Sequence, residues 1–371
     1  MKHVKIYGTL GPSCRDEDTL KKMFDEGMDG IRLNLSHTRL DESAGLIETY
    51  HSAAASCGIK PELLVDMQGP ELRIGKLDQP LCLKEGDIIS PGSIPFPQVV
   101  VETLNEQKVT LEKNPEKNQQ KPDRQVLPDQ QILLDDGKIL LKVVYAGHAG
   151  QEYSGSGGSR KDSFVLQVIR GGCLESRKSV ALPGCVIHTP AMTGDDRENI
   201  LRAKAYGVTS VMQPFVRSEA DLMEVRSALD QAGCQDIRLF AKIENMEGIR
   251  RLDELIPHCD EIVIARGDLG NAMNLWELPA AQKRIAAACR AAGRDFMVVT
   301  QMLDSMIHRQ VPTRAEVSDI FNAVLDGASS VMVTGETAAG DYPVDVIRYL
   351  AGTVREAERY LAKTFDPVII G

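Results

Sequence analysis

The segment at residues 239–270 carries a strand–helix–strand pattern, and this pattern limits the chain to a small set of folds. Apolar runs at 237–243 and 261–265 each end in charged residues, and apolar residues about three positions apart between them predict a helix. In parallel α/β sheets the catalytic groups lie at the carboxyl ends of the strands. The charged residues after these two strands are Lys242, Glu244, Arg266 and Asp268. We therefore expect these groups to share one face of a parallel sheet.

These residue types suit a metal site beside an anion site. Glu244 and Asp268 offer carboxylate oxygens, which Mg²⁺ prefers. Lys242 offers a positive charge to a phosphate or enolate oxygen. Charged residues that only cap the edge of a sheet would produce the same sequence, so these residues alone leave both interpretations open.

The same alternation of strand and helix runs through most of the chain. The predicted strands cover residues 4–9, 30–35, 62–67, 210–213, 237–243, 261–265, 296–300 and 330–334. Without residues 74–178, about 266 residues remain. A barrel of eight βα units needs about 250 residues, so the numbers agree. We predict an α/β protein in which residues 1–73 and 179–371 form one discontinuous (β/α)₈ barrel.

Residues 74–178 interrupt the alternation. Short alternating apolar runs at 98–103, 132–134, 139–144 and 164–169 are typical of β-strands, and no convincing amphipathic helix is present. We predict that residues 74–178 form a small, β-barrel-like lid domain inserted after the third strand.

Composition excludes several classes of protein. The net charge of −10 argues against nonspecific nucleic-acid binding. No apolar run approaches the roughly 18 residues of a membrane-spanning helix, and the first residues do not resemble a signal peptide. The eight cysteines occur singly and without a CxxC pair, which indicates reduced thiols. We expect a cytoplasmic protein that binds neither nucleic acid nor a membrane.

In a barrel, the carboxyl ends of all eight strands face one mouth. Five of the polar residues predicted there are cationic, which favours the binding of an anion even on an acidic protein. They are Arg32, Arg73, Arg217, Lys242 and Arg266. Carboxylates among these cations suggest a metal ion that bridges protein and phosphate. This combination is typical of phosphoryl transfer, where catalysis is mostly positioning and charge neutralisation.

Nine motifs, in order, resemble those of the pyruvate kinase family. They are IRLNLSH, VDMQGPELRIG, LLDDGKI, FAKIENMEG, ARGDLG, VVTQMLDSM, PTRAEVSD, NAVLDGA and TGETAAGDYP. The resemblance covers both barrel portions closely and the insert weakly. It implies a (β/α)₈ barrel with a β lid after strand three, and transfer of a phosphoryl group from phosphoenolpyruvate to ADP to give pyruvate and ATP.

The resemblance also implies roles for single residues. Glu244 and Asp268 match the family's ligands of Mg²⁺ or Mn²⁺. Lys242 matches the lysine that contacts the transferring phosphoryl group and stabilises the enolate. Thr300 is similar to the threonine of the proton relay to the enolate carbon. The implied catalytic and substrate-binding set is Arg32, Lys242, Gly267, Asp268 and Thr300.

Further residues match the family's nucleotide and potassium sites. Nucleotide contacts implied by the resemblance are Arg73, His37, Lys178 and Asn34. Ligands of K⁺ implied in the same way are Asn34, Ser36, Asp66 and the carbonyl of Met67. Glu71 matches the glutamate that usually accompanies potassium dependence.

The chain departs from the family in places, and alternatives stay open. Gln68 stands where the family commonly has lysine, and residues 271–276 read NAMNLW in place of an EIP-type segment. No C-terminal regulatory domain is expected, and hence no sugar-phosphate allostery. Besides a pyruvate kinase, the sequence allows an enzyme of the same barrel that performs Mg²⁺-assisted enolate chemistry on another 2-oxo acid, or a non-catalytic homologue. The barrel helices are the expected contact of a homodimer.

Overall fold

The computed structural model describes residues 3–36, 38–69, 71–104, 130–135, 137–145, 164–183, 185 and 189–364. The chain divides into two compact units. The first comprises Met1–Pro70, Pro190–Gly270 and Asn274–Gly371, and the second comprises Glu71–Thr189 and Asn271–Met273.

Eight parallel strands form a closed barrel in the first unit. They are β1 (Lys5–Thr9), β2 (Gly30–Asn34), β3 (Glu62–Asp66), β11 (Ser210–Gln213), β12 (Arg238–Ile243), β13 (Glu261–Ala265), β14 (Asp295–Val299) and β15 (Ser330–Met332). Each strand pairs with its neighbours in this order, and β15 pairs with β1 to close the barrel. The predicted (β/α)₈ fold is therefore confirmed.

Helices of the first unit follow the strands. They are α1 (Glu17–Glu26), α2 (Ala44–Ser56), α4 (Gly194–Arg202), α5 (Glu219–Gln231), α6 (Met246–Arg250), α7 (Leu252–Leu255), α8 (Arg266–Asn271), α9 (Leu278–Ala291), α10 (Arg314–Leu325), α11 (Gly335–Ala338) and α12 (Pro343–Thr364). Local sequence fixes several ends. Asp16 caps α1 by accepting a hydrogen bond from the Thr19 amide, and Thr193 and Thr313 form capping boxes at α4 and α10. Such a cap contributes about 1 kcal/mol.

The interior of the barrel is filled by a buried cluster of side chains from its strands. The cluster consists of Tyr7, Leu64, Met212, Phe240, Val263, Ala265, Met297, Val299 and Met332. The barrel is thus a packed core, and polar groups lie at its two ends. Among the described helices, none is long and apolar enough to cross a membrane.

The second unit is mainly antiparallel β structure. Its strands are β4 (Leu81–Leu83), β5 (Ile88–Ile89), β6 (Gln131–Leu134), β7 (Ile139–Tyr145), β8 (Phe164–Arg170), β9 (Gly172–Leu174) and β10 (Val180–Ala181). Five of them form a sheet in the order β10-β6-β7-β8-β5, and β4 pairs with β9.

One secondary-structure prediction in this unit was wrong. Residues 98–104 form a helix, α3, where the sequence suggested a strand at 98–103. The helix begins just after Pro97, whose carbonyl accepts hydrogen bonds from the amides of Val100 and Val101. Val100 and Leu104, one helical turn apart, are both buried. Residues 99–101 are three consecutive valines, and a short continuous apolar run fits a buried strand or a turn of helix equally well.

Candidate active site

Three charged side chains meet at the carboxyl ends of the barrel strands. Arg32 donates from Nε and Nη2 to Asp66 Oδ2, at 2.8 and 2.6 Å. Lys242 Nζ lies 3.2 Å from each carboxylate oxygen of Asp66. Side-chain alternation along β2 turns Arg32 to the barrel interior while its neighbours pack outward. Asp66, only 2% exposed, therefore holds two cations in fixed positions.

Glu244 extends this cluster. It follows β12 directly and is 3% exposed. Its Oε1 lies 2.9 Å from Lys242 Nζ, and its Oε2 accepts a hydrogen bond of 2.7 Å from the backbone amide of Phe215. Phe215 has a positive φ of 52°, which is uncommon for a bulky residue and aims this amide at the carboxylate. Lys242 thus bridges two carboxylates at the ends of β3 and β12, the two strands that pair with β11.

The cluster shifts the protonation of its members in opposite directions. Burial raises the pKa of Glu244 to about 7; the nearby carboxylates of Asp268 and Asp66 act in the same direction, and the charge of Lys242 opposes them. Burial also acts to raise the pKa of Asp66, but Lys242 and Arg32 outweigh it and hold that pKa below its usual value. For Lys242, burial acts to lower the pKa, yet Asp66 and Glu244 hold it well above its ordinary range. Lys242 is therefore a permanent ammonium in a buried site.

Thr300 follows β14 in a strained backbone conformation. Its φ is 80° and that of Gln301 is 54°, in the left-handed region that β-branched residues avoid. Such conformations cost about 1–3 kcal/mol each and persist where neighbouring structure holds them. Arg266 supplies that hold: its Nε and Nη2 donate to the Thr300 carbonyl at 3.1 and 2.7 Å, and its Nη1 pairs with Asp319 at 2.6 Å.

Gly267 lies against this threonine at the start of α8. A Cβ on Gly267 would come within 3.1 Å of Thr300 Cγ2, which is tighter than ordinary contact. Glycine therefore lets the first turn of α8 approach the threonine closely. Asp268 lies in the same turn and is near enough to Glu244 to raise its pKa. The predicted substrate-binding residues Gly267, Asp268 and Thr300 are thus brought together.

The residues predicted for potassium lie at adjacent strand ends. Asn34 and Asp66 are register partners, and Asn34 Oδ1 accepts a hydrogen bond from the Ser36 amide at 3.1 Å. The amide of Met67 continues the sheet by donating to the Met212 carbonyl at 3.1 Å. His37, predicted as a nucleotide contact, lies outside the described residues.

Two further predicted nucleotide residues, Arg73 and Lys178, belong to the second unit. Arg73 pairs with Glu71 at 2.9 Å and donates to the Arg177 carbonyl at 3.0 Å. Lys178 Nζ lies 3.1 Å from Asp135. Arg73 also forms an isolated bridge to Ser179, so the segments that carry Arg73 and Lys178 run side by side within that unit.

Sequence reasoning missed residues that hold the site in place. Buried Asp196 accepts hydrogen bonds from the amides of Gln68 and Gly69, at 2.8 and 3.0 Å, and so fixes the segment after β3. Asp319 anchors Arg266, and Phe215 contributes a backbone amide to Glu244. Asp196 also forms a capping box with Thr193, and no local signal points to its bonds with Gln68 and Gly69.

The donor set fits a divalent cation that also takes ligands from substrate. Among the residues that the structure describes, no group of three or more histidine, cysteine, aspartate or glutamate side chains is arranged to hold a metal ion. Mg²⁺ sites commonly use one or two carboxylates and complete their shell with water and phosphate oxygens. Glu244 and Asp268 supply two carboxylates whose mutual repulsion, part of the cause of the raised pKa of Glu244, a cation would relieve.

Comparison with known proteins agrees with this geometry. The family described as pyruvate kinase, barrel domain, matches residues 1–347. The pyruvate kinase of Geobacillus stearothermophilus is 34% identical over 363 residues, 97% of this chain and 58% of that protein. Pyruvate kinase 1 of Trypanosoma brucei brucei is 35% identical over 368 residues, 98% of this chain and 68% of that protein. The pyruvate kinase of Corynebacterium glutamicum is 35% identical over 357 residues, 96% of this chain and 70% of that protein.

The chain spans 58% of the length of the Geobacillus relative, and nearly all of the chain takes part in the match. The family model includes every strand of the barrel and the segments that carry Arg32, Asp66 and Lys242. A closed eight-stranded barrel with its motifs at the mouth, a matching family model and relatives above 30% identity lead to one conclusion: the chain belongs to the pyruvate kinase family.

Proposed function

We propose that this chain transfers the phosphoryl group of phosphoenolpyruvate to ADP, giving pyruvate and ATP. One observation carries the proposal: the ammonium of Lys242 is held by the buried carboxylates of Asp66 and Glu244, and Arg32 pairs with the same Asp66. Two fixed cations in a site of low exposure suit a reaction whose charge lies on phosphoryl and enolate oxygens.

Lys242 and Arg32 would bind the phosphoryl oxygens of the substrate. Because Asp66 fixes both cations before substrate arrives, little reorganisation is needed as charge shifts from the phosphoryl group to the enolate oxygen. The pKa of Lys242, held above its ordinary range by Asp66 and Glu244 after the opposing effect of burial, keeps it charged throughout. Lys242 therefore acts as an electrostatic stabiliser and not as a proton donor.

Thr300 would take part in protonation of the enolate carbon. Its strained backbone, held by Arg266 and Asp319, fixes where the hydroxyl can point. The close approach of Gly267 places the first turn of α8 beside it, where backbone amides would hold the substrate carboxylate. A relay through the hydroxyl and a water molecule would deliver the proton.

Two cations complete the proposal. Mg²⁺ or Mn²⁺ would be held by Glu244 and Asp268, and K⁺ by Asn34, Ser36, Asp66 and the Met67 carbonyl. Bound there, the divalent ion would supply charge neutralisation on phosphoryl oxygens. For the nucleotide we propose Arg73, Lys178, His37 and Asn34. A homodimer through the barrel helices, which light scattering would detect, and a cytoplasmic location are proposed as well.

A second candidate is an enzyme of the same barrel that acts on another 2-oxo acid or phosphoenol compound. The segment at 271–276 favours it, because Leu275 is 71% and Trp276 80% exposed at a place where the family has a different sequence. This enzyme would keep Lys242 and Thr300 for enolate chemistry, and with a 2-oxo acid as substrate it would not need ADP.

A coupled assay for pyruvate would distinguish these functions. Phosphoenolpyruvate and ADP would be supplied with Mg²⁺, with and without K⁺. We expect pyruvate formation that needs ADP and Mg²⁺ and rises with K⁺. If the folded protein binds Mg²⁺ but forms no pyruvate, the first proposal fails; detritiation of 2-oxo acids without ADP would then support the second.

A further inference from the structure

Two exposed cysteines face each other in the second unit. The structure describes all eight cysteines, and of these only Cys82 and Cys173 are exposed. They are register partners on the antiparallel strands β4 and β9, and their sulfurs are 3.7 Å apart. The neighbours Leu83 and Leu174 are buried in the core of this unit, which fixes both strands with the sulfurs on the opposite, exposed face.

The backbone geometry permits a direct bond between the two sulfurs. Directly opposed residues of an antiparallel pair have Cα atoms about 4.5–5.5 Å apart. Disulfides form over Cα separations of about 4.4–6.8 Å. Rotation of the two side chains can therefore bring the sulfurs together without movement of either strand.

We propose that Cys82 and Cys173 form a reversible oxidation site, at which a peroxide converts the two thiols into a cross-strand disulfide. The proposal concerns the second unit and does not depend on the proposed catalytic function.

The chemistry balances in two steps. The thiolate of Cys82 attacks one peroxide oxygen, the O–O bond breaks, and the leaving hydroxide takes up a proton to become water; Cys82 is now a sulfenic acid. Cys173 then attacks the Cys82 sulfur, the S–S bond forms, the S–O bond breaks, and the hydroxide leaves as water with the proton of Cys173. In total, two thiols and one peroxide give one disulfide and two waters, and a small thiol reverses the change.

Three of the other thiols, those of Cys14, Cys259 and Cys289, are buried and poorly placed to compete. Burial raises the pKa of Cys14 to about 11 and those of Cys259 and Cys289 to about 12, which keeps them protonated and unreactive. The hydrogen bond with Cys82 raises the pKa of Cys173. The two steps balance equally when the two sulfurs exchange roles.

The bond would close a long loop. Cys82 and Cys173 are 91 positions apart in sequence, and they lie on strands near the beginning and the end of the inserted unit. A cross-link over such a separation removes conformational freedom from the opened state. We therefore expect oxidation to slow the opening of β4 and β9.

The test uses the full chain, treated with hydrogen peroxide and then digested without reduction. We expect the intact mass to fall by about 2 Da, the mass of two hydrogens, and the peptides of Cys82 and Cys173 to be joined until dithiothreitol is added. In hydrogen exchange, amides of β4 and β9 should exchange at least about tenfold more slowly in the oxidised protein.

Matched variants separate this site from general thiol oxidation. Cys82→Ser and Cys173→Ser should each abolish the cross-link and the protection, whereas Cys185→Ser, in the same unit, should keep both. The proposal is overturned if peroxide gives separate sulfinic acids at Cys82 and Cys173, or dimers linked between chains, or a cross-link that survives in either single variant.

Discussion

At the amino-terminal end of the barrel, charged side chains form separate ion pairs. At the carboxyl end, one charged side chain forms ion pairs with several others. The amino-terminal end contains Lys5 and Tyr7 on β1 and Glu62 on β3, with β2 between the two strands. Glu62 pairs with Lys5 and accepts a hydrogen bond of 2.6 Å from the Tyr7 hydroxyl. Across the same end, Arg238 pairs with Glu261 at 3.0 Å. At the carboxyl end, Asp66 serves Arg32 and Lys242 together, and Glu244 competes for Lys242.

The difference shows in the carboxylates. Buried Glu261 accepts from the Ser330 hydroxyl as well as from Arg238, so both of its oxygens are used. Glu244, equally buried, lies near a second carboxylate, Asp268, which helps to raise its pKa to about 7. One end uses its charges to hold strands together, and the other brings the carboxylates of Glu244 and Asp268 close enough to raise the pKa of Glu244. This agrees with the usual division of a barrel into a stabilising and a catalytic face.

The largest expected effect comes from the cation at the carboxyl end. Lys242→Met should lower kcat for pyruvate formation by about 10³-fold or more, since it removes a preorganised charge from the transferring group. The fold should survive, because Asp66 keeps Arg32 and Glu244 can take up a proton. Steady-state kinetics and circular dichroism measure the two effects. Lys60→Met, at an exposed position, is the matched control; turnover of the Lys242 variant within a few-fold of the unaltered protein would contradict its assigned role.

The next effect concerns proton delivery. Thr300→Ala should slow exchange of pyruvate protons with solvent by about 10²-fold, the scale of general acid–base catalysis, and slow phosphoryl transfer less. Tritium release from labelled pyruvate and single-turnover ATP formation measure the two steps separately. Equal losses in both would mean that Thr300 acts through the shape of the site and not through a proton. Thr209→Ala, whose hydroxyl bonds the Leu63 carbonyl away from the mouth, serves as the control.

At the amino-terminal end we expect the opposite pattern. Arg238→Ala leaves buried Glu261 without its ion-pair partner and should lower the free energy of unfolding by about 1–3 kcal/mol. Urea denaturation measures this loss, and kcat should stay within about twofold because the site lies at the other end of the barrel. A variant that kept its stability but lost turnover would overturn the proposed division between the two ends.

The smallest effect is a change in pH dependence. Burial acts to raise the pKa of Glu62, but Lys5 and the Tyr7 hydroxyl outweigh this effect and hold that pKa below its ordinary 4.5. A carboxylate whose pKa is lowered by folding stabilises the folded state at pH values above its ordinary pKa. This stabilisation is lost as the pH falls through the pKa of the folded state. Glu62→Gln should therefore flatten the loss of stability below about pH 4.5 in urea titrations.

Glu261 provides the opposite control. Burial raises the pKa of Glu261, against the effects of Ser330 and Arg238. The contribution of Glu261 to the free energy of unfolding therefore falls as the pH rises above the ordinary pKa of a glutamate. Glu261→Gln should leave the acid limb intact and lessen the decline at higher pH. If both variants changed the same limb, the assignment of opposite shifts at this end would be wrong.

Local signals determined much of this protein from its sequence. The strands Ser210–Gln213 and Glu261–Ala265 lie at the predicted residues, because the periodicity of apolar residues acts within a few positions. The count of eight strands and the polar residues at their carboxyl ends also led to the barrel and to its mouth. The helix at 98–104 escaped prediction, since a short apolar run fits either structure.

The sequence could not determine which side chains contact one another in the folded protein. Asp66 meets Lys242 across 176 positions, Arg266 reaches Asp319 across 53, and Cys82 faces Cys173 across 91. The strain at Thr300 likewise depends on Arg266 holding its carbonyl. The strands, the helices and the residues at their ends could be predicted from local patterns, which repeat every two positions in strands and every 3.6 positions in helices. The pairings were decided by closure of the barrel and by strand register, which bring together residues whose separation along the chain carries no local signal.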